Sequence, residues 1–388
     1  MKKIRCFRRK AISLLLLIIV FVTTTAFVDK YYYVDKKLLA IESVINNYYV
    51  GDVNTEKLRE GIYKGFVSGV GDIYTNYYTA DEYASFMEKS SGVYAGIGIQ
   101  MTLDSADNTI MIVDVFEGSP AEEVGMLPND KIIKVAGQTV TGDDFSSLPN
   151  MVKGKIGSKV KITIYRPSEG RSYDLDVERR NITTASVESK MLKDNIGYIK
   201  IVQFEEITYD QFKEALDELT ENQMQGLVID VRDNPGGLLK ITQKIADELV
   251  PAGVVVSTEN KVGKNEVYYA DDQYIDIPIV VLVNGNSASA SEVLAGAIKD
   301  TGRGKLIGET TYGKGVVQSV IPLTDGSALK VTTAKYFTPS GICIQGIGIE
   351  PDYVVTLPVE LLTKSKLTER RYPITKGSRS TKGGDSLV

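Results

Sequence analysis

The chain has 388 residues, 43% of them apolar and 24% charged, with a formal charge of −5, two cysteines and no histidine. Such a length supports two to three domains with a sizeable core. The missing imidazole excludes a histidine base and, with so few cysteines, an ordinary zinc site; an acidic body without a basic, aromatic-interleaved stripe argues against nucleic-acid binding.

The first ten residues carry Lys2, Lys3, Arg5, Arg8, Arg9 and Lys10 and no acid; taking those six charges from −5 leaves −11 for the rest. Ala11–Val28 follows without a charge. It reads as a secretory apolar segment, with Thr24-Thr25-Ala26 as a cleavage site, or as a retained membrane anchor. Either way residues 1–30 direct export, and the body is expected to be extracytoplasmic, anchored to the cell membrane or secreted. Cys6 lacks a lipoprotein context, Cys343 alternates like a strand residue in Gly341-Ile-Cys-Ile-Gln345, and no bridge between them is expected.

Residues 31–91 read as helical. Leu38, Ile41, Ile45 and Tyr48, then Leu58, Ile62 and Phe66, recur at helical spacing on either side of Gly51-Asp-Val-Asn54, faces that pack within the chain or between two copies. Thr79 begins a third helix as its N-cap. Residues 92–180 read as a partly open β-barrel, with strands at Ile97–Met101, Thr109–Val115, Lys131–Val135, Lys159–Tyr165 and Tyr173–Val177 and short helices at Pro120–Val124 and Phe145–Val152. Residues 181–363 alternate strand and helix as an α/β domain, and Gly226–Arg232 and Ile277–Val283 are apolar enough for a sheet covered on both faces. From Lys364 to Val388 the apolar periodicity is lost, and the segment reads as a disordered tail.

The chemistry concentrates in Val281-Leu-Val-Asn-Gly-Asn-Ser-Ala-Ser-Ala-Ser-Glu292 and Gly308-Glu-Thr-Thr-Tyr-Gly-Lys-Gly-Val-Val-Gln318. Ser287, Ser289 and Ser291 lie where a strand turns into a helix. Ser289-Ala-Ser-Glu292 fits a capping box, and the same helix start suits a nucleophile because free N–H groups and the helix dipole stabilise a nearby oxyanion. The local pattern does not choose among the three serines. Lys314 lies between two glycines that imply a backbone held close to something. Buried, it would lose its proton near neutral pH and serve as the base in place of histidine. Gln318 can orient its amine. Asp233-Asn-Pro-Gly-Gly237 is a tight strand-to-helix turn or a place where Gly236 and Gly237 present amides to a ligand; it lacks the pattern of a phosphate loop.

These motifs together resemble the carboxyl-terminal processing proteases, serine–lysine endopeptidases that include the tail-specific proteases, over about residues 36–356. In that family the serine stands 25 residues before the lysine, which selects Ser289 for Lys314. The resemblance implies a catalytic Ser289, Lys314 and Gln318, and an oxyanion hole from the amides of Ala290 and of Gly236 or Gly237. It further implies a crotonase/ClpP-like α/β catalytic domain, no cofactor or metal, and a homodimer formed through the N-terminal helices. Gly71-Asp-Ile-Tyr-Thr-Asn-Tyr-Tyr-Thr-Ala-Asp-Glu-Tyr83 and Tyr336-Phe-Thr-Pro-Ser-Gly341 match further family segments. Gly118-Ser-Pro-Ala-Glu-Glu-Val-Gly-Met-Leu-Pro-Asn-Asp-Lys-Ile-Ile133 resembles the PDZ signature, so Gly96-Ile-Gly-Ile99 is the expected binding loop for a substrate C-terminus with an apolar last residue. Lys153 stands where the family often has an arginine able to couple the PDZ domain to the active site, and lysine lacks its planar fork. The expected activity is hydrolysis of peptide bonds in protein substrates recognised by their C-termini. The alternative is a non-catalytic PDZ adaptor on a protease scaffold. The terminal Ser386-Leu-Val388 is itself a candidate occupant of the PDZ groove.

Overall fold

A computed structural model of the protein describes residues 34–356. The apolar segment 11–28, Cys6 and the tail from 364, with its Ser-Leu-Val end, lie outside the described residues. Two compact units divide at Tyr63. The first holds helix α1, residues 34–48, and the start of α2 (Thr55–Ser68). No described helix is long and apolar enough to cross a membrane.

In the second unit a short strand, β1 (Asn76–Tyr78), leads into α3 (Ala80–Ser91). Thr79 caps α3: its Oγ1 accepts from Glu82 N at 3.2 Å and Glu82 returns a carboxylate oxygen to Thr79 N at 2.9 Å. Gly92 ends the helix with φ +71°, a left-handed turn open to glycine at low cost.

The next layer is all-β with two short helices. It runs β2 (Val93–Gly96), β3 (Ile99–Asp104), β4 (Thr109–Val115), α4 (Pro120–Glu123), β5 (Lys131–Val135), β6 (Gln138–Thr139), α5 (Leu148–Val152), β7 (Lys159–Arg166), β8 (Arg171–Glu178) and β9 (Arg180–Thr183). Its main sheet has the order β3-β4-β5-β7-β8, and β2 pairs with β9 where the chain enters and leaves. Strand alternation explains the core: in β7, Val160, Ile162 and Ile164 point inward and meet Ile110, Ile112, Ile132, Val135 and Val177, while the residues between face outward. The expected strand Ile97–Met101 is split, because Gly98 turns at φ +82° against Ser119. The expected helix at 145–152 begins only at Leu148, with Pro149 in its first turn.

The remainder is β10 (Val187–Met191), β11 (Ile196–Ile201), α6 (Thr208–Glu221), β12 (Gly226–Asp230), α7 (Leu239–Asp247), β13 (Gly253–Asn260), β14 (Asn265–Ala270), β15 (Ile279–Val283), α8 (Ala290–Asp300), β16 (Gly304–Gly308), β17 (Val316–Pro322), β18 (Ala328–Phe337) and β19 (Tyr353–Val354). One sheet runs β10-β11-β12-β15-β16-β19, parallel except at β10. A second, antiparallel sheet runs β1-β18-β13-β14, with β17 also on β18. Helix α8 is buried on every side from Ala290 to Ile298, as its small and apolar residues allow. Strand β12 stops at Asp230 rather than Arg232, because the Asp230 carboxylate takes the Arg232 amide at 3.0 Å and its guanidinium, turning the chain.

Candidate active site

The turn from β15 into α8 places the three serines differently. Ser287 Oγ donates to Val231 O at 2.7 Å and Ser291 Oγ to Asn234 O at 3.0 Å, and both residues are fully buried. Their hydroxyls are spent on carbonyls of the 231–234 turn. Ser289 lines a cleft with Phe204, Gly237, Leu238, Ala290, Val293, Val316, Gln318 and Tyr336. Its backbone sits at φ 54°, ψ −113°, outside the regions open to ordinary side chains. A strained serine between a strand and a helix is the geometry that points a nucleophile out of an α/β sheet.

Glu292, one turn into α8, holds this loop to the next. Its Oε2 accepts the amides of Ser289 at 2.8 Å and Lys314 at 2.9 Å, and its Oε1 accepts Thr311 Oγ1 at 2.6 Å and the Gly313 amide at 2.7 Å. The residue is fully buried. Burial pushes its carboxyl above the usual range, while these four donors act to lower it. Tyr336 of β18 adds a second tie, since its hydroxyl donates toward Ser289 O at 3.1 Å and also contacts Lys314 O. Burial raises that phenol well above its ordinary pKa.

Lys314 is 5% exposed. Burial first, and the Lys330 charge second, lower its ammonium to about 8 against the pull of Glu292 and Asp72. The ring of Tyr74 lies 4.7 Å from its Nζ. The flanking glycines are required by close approach to the 345–348 loop: a Cβ at Gly313 would stand 2.9 Å from Gly348 N, and one at Gly315 would stand 2.5 Å from Gln345 N. Gly315 N donates to Gln345 Oε1 at 2.7 Å. Gln318, at the start of β17, faces Thr332 on β18 and donates to its Oγ1 at 3.3 Å. Its Oε1 is buried and, among the described residues, has no hydrogen-bond partner.

The glycine turn after β12 closes over the serine. Asn234 O accepts the Ala288 amide at 3.1 Å, and a Cβ on Gly236 would lie 2.9 Å from Ser289 Cβ and 3.0 Å from Ala290 N. Gly236 N is occupied by Asn234 Oδ1 at 2.8 Å. Gly237 has φ +142° and presses on Phe204, whose carbonyl a Cβ would meet at 2.1 Å. Of the two glycine amides considered from the sequence, that of Gly237 is the one not already donated within this turn.

In the all-β layer, Gly96, Ile97, Gly98 and Ile99 join β2 to β3, with Ile97 buried and its carbonyl bound to the Ala121 amide at 2.9 Å. Lys153, at the end of α5, reaches out of this domain. Its ammonium pairs with Glu88 of α3 and lies 5.8 Å from the Tyr94 ring. The same helix supplies Phe86, Lys89 and Ser90 to the wall of the cleft.

Ser289, Gln318, Ala290 and Gly237 thus share one cleft, and Lys314 is tied to Ser289 through Glu292 and Tyr336. Sequence reasoning saw only half of Glu292, as the reciprocal partner in a capping box. Its bonds to Thr311, Gly313 and Lys314 join residues about twenty apart and leave no periodic trace. Tyr336 and Tyr74 fell within motifs noted above, without a role.

Two family models match the chain: Peptidase family S41 over residues 195–355 and PDZ domain over residues 95–178. A PDZ-containing serine-type peptidase is therefore the class. The chain is 37% identical to the carboxy-terminal processing protease CtpA of Bacillus subtilis (strain 168), over 84% of this chain and 69% of that protein. It is 33% identical to the carboxy-terminal-processing protease of Bartonella bacilliformis, over 87% of this chain and 77% of that protein. Among solved structures it is similar to the photosystem II D1 C-terminal processing protease, at 30% identity over 83% of this chain and 88% of that one, with a TM-score of 0.48. The chain belongs to the carboxy-terminal processing protease family.

Proposed function

We propose that the protein is an exported endopeptidase in which Ser289, Lys314 and Gln318 cut peptide bonds of substrates whose C-termini the PDZ domain captures. The observation that carries this reading is the strained Ser289 tied by Glu292 to a buried lysine whose ammonium is lowered to about 8. The neutral amine of Lys314 takes the Ser289 proton as Oγ attacks the scissile carbonyl. The amides of Ala290, at the first turn of α8, and Gly237 stabilise the oxyanion, in preference to Gly236. Lys314 then returns the proton to the leaving amine, and the released segment departs. Water, deprotonated by the same lysine, attacks the Ser289 ester; the bond from the acyl carbon to Oγ breaks, the lysine ammonium returns its proton to Oγ, and the new acid leaves, ionising to solvent. The buried, unpartnered Oε1 of Gln318 would accept from the lysine ammonium while it holds the proton.

The reading extends to three finer points. The parallel sheet with α6, α7 and α8 packed on it supports a crotonase/ClpP-like catalytic domain, and the barrel at 92–180 is the partly open barrel of a PDZ domain whose Gly96–Ile99 loop holds the substrate carboxylate. The pair Lys153–Glu88 supports a route from that domain to the cleft wall. Exposed Leu39, Ile41, Val44 and Tyr48 on the first helix support a homodimer, and the basic, apolar first 28 residues support export and membrane association.

The test is hydrolysis of casein and of a tagged peptide by the wild type, Ser289→Ala and Lys314→Ala. Loss of activity in both variants is expected; equal activity in all three defeats the mechanism. Light scattering of the full chain reads the dimer, and fractionation of cells reads the location.

A further inference from the structure

The segment 71–83 has a motif that the mechanism above does not use. Its strand, β1, lies antiparallel on β18, with Asn76 opposite Lys330 and Tyr78 opposite Ala328. Just before it, Asp72 closes a turn, accepting Tyr74 N at 3.1 Å and Thr75 Oγ1 at 2.6 Å. Thr75 Oγ1 in turn accepts the Thr332 amide at 3.2 Å. Thr332 is also the residue whose hydroxyl holds Gln318. The strap so fixed carries the Tyr74 ring to 4.7 Å from Lys314 Nζ. One short segment thus touches the lysine through Tyr74 and the glutamine through Thr332.

We propose that Tyr74 is a positioning residue that seals the Lys314 side chain from water and holds it in place for the serine. The inference rests on the serine–lysine reading. The charged and titratable groups packed around the lysine are Glu292 from α8, Lys330 and Tyr336 from β18, the latter at the Lys314 carbonyl, Asp72 and Tyr74 itself from the strap, and Tyr312, which is hydrogen-bonded to Tyr74. A ring face attracts an ammonium, while exclusion of water disfavours it. Lys314 is only 5% exposed, with the ring 4.7 Å from its Nζ, so we take exclusion as the larger of the two effects. Removing the ring lets water reach Nζ and raises its affinity for the proton, which leaves less free base at neutral pH.

The experiment is kcat/KM against pH for the full chain with wild-type, Tyr74→Ala and Tyr74→Phe sequences. Tyr74→Ala is expected to move the acidic limb up by about one pH unit, which is a tenfold loss on that limb. Tyr74→Phe, which returns the ring face, restores the wild-type limb. A Tyr74→Ala limb that overlays the wild type overturns the proposal. Where a variant turns over too slowly, the lysine is titrated directly by 13C NMR of its Cε in a Ser289→Ala background. An upward shift in Tyr74→Ala supports the proposal and an unmoved midpoint overturns it. Tyr74→Val replaces Tyr74→Ala if the latter does not fold. Activity retained by Lys314→Ala would instead defeat the parent reading, so the two failures are distinguishable.

Discussion

One oxygen of Glu292 accepts the Lys314 amide at 2.9 Å, and the same oxygen accepts the Ser289 amide at 2.8 Å. The relative position of the two segments is therefore held by a buried carboxylate, with the Tyr336 hydroxyl as a second tie. Glu292→Gln keeps the volume but puts an NH2 group among amide donors, so at least two of the four bonds are lost. We expect kcat to fall about 100-fold or more, since small displacements of reacting groups cost that much. Denaturant unfolding should show a loss of about 3 kcal/mol or more, from buried donors left unmade. A variant with wild-type kcat would remove Glu292 from this role.

The serines separate by experiment. Ser289→Ala should lose activity by at least about 1,000-fold. Ser287→Ala and Ser291→Ala should keep a measurable kcat and lose stability by about 1–3 kcal/mol each, because Val231 O and Asn234 O would each lose a buried donor. Parallel assays of kcat and urea midpoint decide it.

Lys314 gives activity a pH dependence of stated sign. With its ammonium at about 8, kcat/KM should fall tenfold per unit below that value as the free base is lost, and level off above it. A limb centred near 6 would assign the base elsewhere.

The same shift has a cost in stability. The folded pKa is below the unfolded value of about 10.4, so the folded protein binds fewer protons between about 8 and 10.4 and gains stability as pH rises through that window. Below 8 both states are protonated and the full penalty, on the order of 3 kcal/mol, applies. Lys314→Met should therefore be more stable than the wild type at pH 7, with the difference closing toward pH 10.5. Melting at both pH values measures it; a less stable Met variant at pH 7 contradicts the burial argument.

Gly237→Ala brings a methyl to within 2.1 Å of the Phe204 carbonyl from a backbone at φ +142°. The turn must shift, carrying the amide away from the serine. A loss of kcat of about 100-fold or more, with KM changed far less, is the expected pattern for an oxyanion donor. A change confined to KM would place Gly237 in binding alone.

Much of this was legible in the chain before folding. The absence of histidine pointed to lysine as the candidate base, because that is a property of composition. Thr79 as a cap, the alternation of β7 and the apolar run of β12 were readable because their causes are local, repeating every two or nearly four residues. Short strands such as β2 and β9 were missed, since their four residues are too few for a period to show and they owe their form to pairing with each other. The choice among Ser287, Ser289 and Ser291 could not be made from local pattern. It depends on which hydroxyl meets the 231–234 turn, more than fifty residues away.

What the sequence alone determined, then, is the set of chemical groups on offer and the elements that carry them, because side-chain chemistry and short-range periodicity are written in order along the chain. Tertiary structure decided how those groups meet. It buried Lys314 deeply enough to lower its ammonium, spent two serines on carbonyls, and joined residues 289 and 314 through Glu292. Burial and partnership are properties of distance in space, and loop closure between strands makes that distance independent of position in the chain.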